Sequence, residues 1–150
     1  IAAESATFGL SEVNWGIIPG GNVSKVFGEM VGFRNAMFYA MTGRTIDGRK
    51  AAEIGIATMA VPAEKLRDET ITIARELMAK SPMVLAYTKH AIRAVRGMDM
   101  DQAYEYLGAK SMALRAADPE RTRERGMREF LDEKTYRPGL EPVKRPTGEK

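Results

Sequence analysis

The sequence predicts an α/β fold over its first third, followed by a region that is almost wholly helical. Three observations carry this. Residues 1 to 21 are glycine-rich and lack helical periodicity. Between Asp47 and Pro62 a capped helix, a glycine, a short apolar run and a proline follow one another in a compact α/β unit. From residue 63 to 132 apolar residues recur at three- and four-residue spacing. The expected organisation is residues 1–62, a helical region over 63–134, and an extended tail over 135–150. A chain of 150 residues can bury its own core.

The composition is that of an ordinary globular chain, with 44% hydrophobic and 29% charged residues. No apolar run is long enough to cross a bilayer, and no basic segment leads into a signal-like apolar stretch. Cysteine is absent, which removes disulfides, thiolate metal sites and cysteine nucleophiles and fits a cytoplasmic location. The formal charge of +3, from 23 basic and 20 acidic residues, permits an anionic ligand. It gives no argument for nucleic acid, and no basic-aromatic alternation suggests base stacking. Ile1 is an unusual first residue, and the strand pattern at Thr7–Leu10 has no partner nearby in sequence. The expectation is a piece of a longer protein.

The elements read as follows. Pro19-Gly20-Gly21 is a turn signal. Asn22 is placed to cap a helix over 23–31, which Gly32 stops. A second helix over 33–41 sets Phe33, Ala36, Met37 and Ala40 on one face, and Gly43 ends it. Asp47 caps a helix over 48–54, Gly55 stops it, and residues 56–61 read as a strand. Leu66, Thr70, Ile73, Ala74 and Leu77 mark the next helix. Ser81-Pro82 opens another, with Val84, Leu85, Thr88, Ile92 and Val95 as its buried stripe and Gly97 as its end. Met100, Ala103, Tyr104, Leu107, Ser111 and Leu114 mark a long amphipathic helix. Asp118-Pro119-Glu120 starts the last one, expected to reach about Lys134. Such apolar stripes call for a packing partner, and a subunit interface is one natural answer.

Little here carries chemistry. The single histidine, His90, lies between Lys89 and Arg93 and reads as a surface residue. Arg121, Arg123, Arg125 and Arg128 alternate with Glu120, Glu124 and Glu129, more readily a solvated ion-paired face than an anion site. The ten methionines read as core filler. No phosphate loop, dinucleotide fingerprint or nucleophile elbow is present, and Ser11 has no histidine near it for triad chemistry. What remains is Glu12, in the apolar, glycine-punctuated stretch from Phe8 to Asn22. Spacing alone reads it equally well as a solvated turn residue. An apolar setting disfavours the charged form of a carboxyl and suits it to proton transfer near neutral pH.

Phe8-Gly9-Leu10-Ser11-Glu12-Val13-Asn14-Trp15-Gly16, with Ile18-Pro19-Gly20, resembles the second catalytic segment of the crotonase (enoyl-CoA hydratase/isomerase) superfamily. Met41-Thr42-Gly43-Arg44, Ala51-Ala52-Glu53-Ile54-Gly55 and Val61-Pro62 are similar to its helix-strand signature. Ser81-Pro82 with Lys89, and Gly126 to Lys134, resemble its C-terminal helices. The string Ser11 to Gly16 and the ending Asp132 to Leu140 look most like the hydroxycinnamoyl-CoA (feruloyl-CoA) hydratase-lyases. The resemblance implies the C-terminal half of a ββα spiral followed by a helical trimerisation region, in a trimer or hexamer. It implies a CoA thioester substrate, no metal and no separate cofactor. The implied reaction, a step of phenylpropanoid degradation, adds water to the double bond and splits the product into an aromatic aldehyde such as vanillin and acetyl-CoA. Glu12 takes the place of the family's acid-base glutamate. Trp15, Gly16, Ile17 and Ile18 are the implied acyl-binding residues, and Phe130 and Lys134 the implied CoA contacts. The oxyanion-hole donors are implied to lie upstream of Ile1, in the other half of the enzyme. A family tyrosine that meets the substrate phenol falls on Gly108, with Tyr104 and Tyr106 close but out of register. Two other readings stand beside this one: a fatty-acid-type enoyl-CoA hydratase or isomerase, and a non-catalytic CoA-binding homologue.

Overall fold

A computed structural model describes residues 1–135. The predicted tail beyond Thr135, with Tyr136 to Leu140, lies outside the described residues. The chain divides into two compact units, Ile1–Thr72 and a second beginning at Ile73.

In the first unit four two-residue strands form two small pairs. β1 (Ala2–Ala3) runs parallel to β4 (Ala60–Val61), and β2 (Thr7–Phe8) runs antiparallel to β3 (Ile46–Asp47). The strand expected near Thr7 thus finds its partner far along the chain. All four strands pack against α2 (Gly48–Glu53). Asp47 caps α2 as predicted, its Oδ1 accepting the Lys50 N–H at 2.7 Å. Gly48 is required by close approach, since a Cβ there would overlap the Ala3 carbonyl oxygen. Among the described residues the buried apolar side chains are few: Ala2, Val31, Ile46 and Ala51.

α1 (Val23–Thr42) is two helices joined across Gly32, whose φ of 76° and ψ of 155° break the helix where the sequence places a stop. Gly43, at φ 61°, closes it by donating its N–H to the Tyr39 carbonyl. Two expectations need correction. Asn22 holds the N-cap position without capping through its side chain; Ser24 instead donates its hydroxyl to the Pro19 carbonyl at 2.7 Å. The strand expected over 56–61 shrinks to Ala60–Val61, because the Ile56 and Ala57 N–H groups both donate to the Ala51 carbonyl and curl the chain after α2.

A 3₁₀ turn at Ala63–Lys65 leads into α3 (Leu66–Met78), which carries the chain from the first unit into the second. There α4 (Pro82–Val95) starts on Ser81, buried and accepting the Val84 N–H, with Pro82 in its first turn as expected. α5 (Met100–Ala117) is capped by Asp99 and packs on α4, with the Lys110 ammonium 4.9 Å from the centre of the Tyr87 ring. α6 (Thr122–Leu131) begins later and ends earlier than predicted. Asp118, Pro119 and Glu120 form a turn ahead of it, in which the Asp118 carboxylate accepts the Glu120 and Thr122 N–H groups at 3.1 and 2.8 Å.

The apolar stripes read from spacing are only partly the buried ones. On α1, Ala36 and Ala40 turn inward while Phe33 is 80% exposed. On α3, Leu66 and Ile73 are half-buried, whereas Thr70, Ala74 and Leu77 are exposed. α4 half-buries the side carrying Val84, Tyr87, Ala91 and Ala94 and leaves Thr88 and Ile92 exposed. α5 turns Ala103, Tyr106 and Leu114 inward and exposes Met100, Tyr104, Leu107 and Ser111. The methionines are not core filler: Met41, Met78, Met100 and Met112 are each well over half exposed. No described helix is long and apolar enough to cross a membrane.

Candidate active site

Glu12 opens a single 3₁₀ turn, Glu12–Trp15, in the first unit. Upstream, the turn hangs from β2, held by β3. Downstream it ends on Gly16, whose φ of 70° is left-handed backbone that favours glycine. Backbone hydrogen bonds close it, among them the Asn14 N–H to the Ser11 carbonyl at 2.9 Å, the Gly16 N–H to those of Glu12 and Val13, and the Ile17 N–H to that of Glu12 at 3.2 Å. Glu12 is therefore placed by main-chain geometry.

The carboxylate itself is divided between two environments. Glu12 Oε2 is shut off from solvent and has no hydrogen-bond partner among the described residues. Glu12 as a whole is half-buried, and Oε1 is the oxygen left for solvent or a ligand to reach. An unsatisfied buried polar atom costs roughly 1–3 kcal/mol, more when charged. Native structures retain such groups rarely, and a role in catalysis is one of the recognised reasons.

Around this carboxylate the chain presents apolar surface. Trp15 is 75%, Ile17 60% and Ile18 83% exposed, and Val13 is exposed beside them. Trp, Ile and Ile left bare next to one another need a covering group. Covering Trp15 alone would contribute roughly 3–4 kcal/mol at the usual area coefficient. Farther along, α1 lines an apolar groove of about 370 Å³ with Val23, Val26, Phe27 and Met30, closed by Asn22 and Ile56. Periodicity alone did not single out this groove.

The remaining predicted residues divide between the units. Glu12, Trp15, Gly16, Ile17 and Ile18 are neighbours in the first. Phe130, at the end of α6, and Lys134 belong to the second, and both are exposed. Lys134 takes left-handed backbone, φ 52°. On α5 the space about Gly108 is open, Tyr106 is half-buried and Tyr104 is 82% exposed. His90 is exposed on α4. The arginine-rich helix is an ion-paired face, with Arg125 reaching Glu120 at 3.8 Å and Arg128 reaching Glu133 at 3.3 Å. Among the described residues no group of three or more His, Asp or Glu side chains is gathered to hold a metal ion.

Comparison with known proteins adds an independent line. The profile of the enoyl-CoA hydratase/isomerase family matches residues 1–137. A hydroxycinnamoyl-CoA hydratase-lyase of Pseudomonas fluorescens is 48% identical over 145 residues, 97% of this chain and 52% of that protein. A probable mitochondrial enoyl-CoA hydratase 2 of Arabidopsis thaliana is 33% identical over 92 residues, 61% of this chain and 31% of that protein. Among solved structures, a probable enoyl-CoA hydratase/isomerase from Mycobacterium abscessus superposes with a TM-score of 0.74 at 33% identity, over 88% of this chain and 50% of that one. The chain spans about half the length, or less, of these relatives.

Proposed function

We propose a function from one established point: the chain belongs to the enoyl-CoA hydratase/isomerase family and has part of the crotonase fold. The reading is a hydroxycinnamoyl-CoA hydratase-lyase in which Glu12 is the acid-base residue. One observation carries it: a half-buried carboxylate with one unpartnered oxygen, in a fixed turn beside bare apolar side chains. The 48% identity to a protein of that activity supports the choice within the family.

In this mechanism Glu12 takes a proton from water as the oxygen adds to the β-carbon of feruloyl-CoA, and delivers that proton to the α-carbon, which restores the carboxylate. Glu12 then takes the β-hydroxyl proton. The Cα–Cβ bond breaks, the aldehyde leaves as vanillin, and Glu12 returns the proton to the enolate carbon, giving acetyl-CoA. Acid-base help of this kind contributes about 10²–10⁴-fold. Two backbone N–H groups from an upstream half of the enzyme would hold the thioester oxygen as it gains charge. Trp15, Gly16, Ile17 and Ile18 line the acyl site, and Phe130 and Lys134 meet the CoA moiety. No metal or separate cofactor takes part, CoA being a portion of the substrate, and the setting is a homo-oligomer in the cytoplasm.

A fatty-acid-type enoyl-CoA hydratase is the second reading, favoured by Gly108 at the position of the phenol-binding tyrosine. Mass spectrometry of products formed by the complete gene product from feruloyl-CoA and crotonyl-CoA separates the two. Vanillin with acetyl-CoA supports the lyase. 3-Hydroxybutyryl-CoA from crotonyl-CoA, with feruloyl-CoA untouched, supports the hydratase. Turnover of neither identifies a non-catalytic homologue.

A further inference from the structure

The turn that bears Glu12 rests on the end of α1, and the contact is unusually close at one point. A Cβ built on Gly43 would lie 2.7 Å from Asn14 Nδ2, 3.0 Å from Oδ1 and 3.1 Å from Cγ. Gly43 is required by its left-handed backbone at φ 61°, and the exposed Asn14 amide rests in the space where a side chain would begin. With three residues per 3₁₀ turn, position 14 projects from a different side than position 12. The Asn14 amide can thus seat the turn without covering the Glu12 carboxylate. The same short segment holds the other side of the turn as well. Ile46, 2% exposed, pairs with Phe8 just ahead of it.

We propose that Asn14 and Gly43 form the seat that fixes the direction of the Glu12 carboxylate, which makes Asn14 a positioning residue for the proton transfer. The proposal rests on the reading of Glu12 as the acid-base group. A methyl group on residue 43 pushes the amide away and tilts the turn. A displacement of about 1 Å at a reacting group can cost about 100-fold in rate.

The test is a double-mutant cycle in the complete gene product, with kcat and KM for its CoA thioester and the thermal midpoint measured for each variant. Gly43→Ala is expected to lower kcat by about 10- to 100-fold with KM within about twofold. Asn14→Ala is expected to lower kcat less. Together they should retain several-fold more activity than the product of the single effects, because removing the amide makes room for the methyl. Gly43→Asn tolerates the left-handed backbone yet carries a Cβ, so it should lower kcat like alanine while losing less thermal stability. Should Gly43→Ala fail to fold, a fall in kcat at constant KM in Asn14→Ala carries the proposal by itself. Single effects that simply multiply, or variants that lose thermal stability at unchanged kcat, overturn it. Glu12→Gln is the control. If it is inactive while the cycle is multiplicative, only the seat is refuted; if it keeps full activity, the proposed function falls first.

Discussion

At the residue scale, the proposed function gives Glu12 and Trp15 different work, and the difference can be measured. Trp15, in the same turn, is mostly bare, so the contribution proposed for it is to binding. Trp15→Ala should weaken binding of an aromatic acyl-CoA by about 10- to 100-fold, roughly 1.4–2.7 kcal/mol, less than the roughly 3–4 kcal/mol its covered area would supply at most. Acetyl-CoA should bind almost as before. Titration calorimetry with both ligands checks this; equal losses for both would place Trp15 in the fold and not in the acyl site. Glu12 was legible in the sequence only as part of the string Ser11 to Gly16, since its spacing fits a solvated turn equally well. Its unpartnered Oε2 and the Asn14–Gly43 contact were not legible, because both depend on residues that meet only when the chain folds.

At the element scale, local signals were read well and faces were not. Asp47 and Ser81 cap helices, and Gly32 and Gly43 break or end them, because caps and left-handed turns are decided within four or five residues. The inward faces of α4 and α5 are set by the partner each helix meets, which spacing does not reveal. The turn before α6 shows a local signal only partly read. The Thr122 N–H above all, with the Glu120 N–H and the nearby Arg125, holds the Asp118 carboxyl below its ordinary value. Asp118 therefore binds its proton less readily in the folded chain than in the unfolded one. Its contribution to stability is complete above the unfolded value of about 3.9 and is lost as the pH falls through the depressed folded value. Thermal melts followed by circular dichroism should show wild type above Asp118→Ala near neutral pH, with the gap narrowing as the pH falls below the unfolded value. A gap of constant size would show that the carboxylate is not what holds this turn.

At the scale of the whole molecule, the chain carries more apolar surface than its own core can absorb. Phe33, Met100, Tyr104 and Met112 are each at least 70% exposed, and no large side chain among the described residues is fully buried. Apolar faces of this kind mark association surfaces. The complete gene product should run in light scattering at the mass of a trimer or hexamer, and Met100→Glu with Tyr104→Glu should lower that mass. A monodisperse monomer would contradict the oligomeric reading. The α/β-then-helical order was legible from glycine punctuation and periodicity, whereas the pairing of β1 with β4 was not, because two-residue strands leave no alternation to read. The central claim is that Glu12 moves the proton. Its most direct measurement is turnover of feruloyl-CoA by the complete gene product and by its Glu12→Gln variant, alongside CoA binding and the thermal midpoint. The predicted result is a loss of about 100-fold or more in kcat, with CoA affinity and thermal midpoint unchanged. Turnover in Glu12→Gln equal to wild type would contradict it.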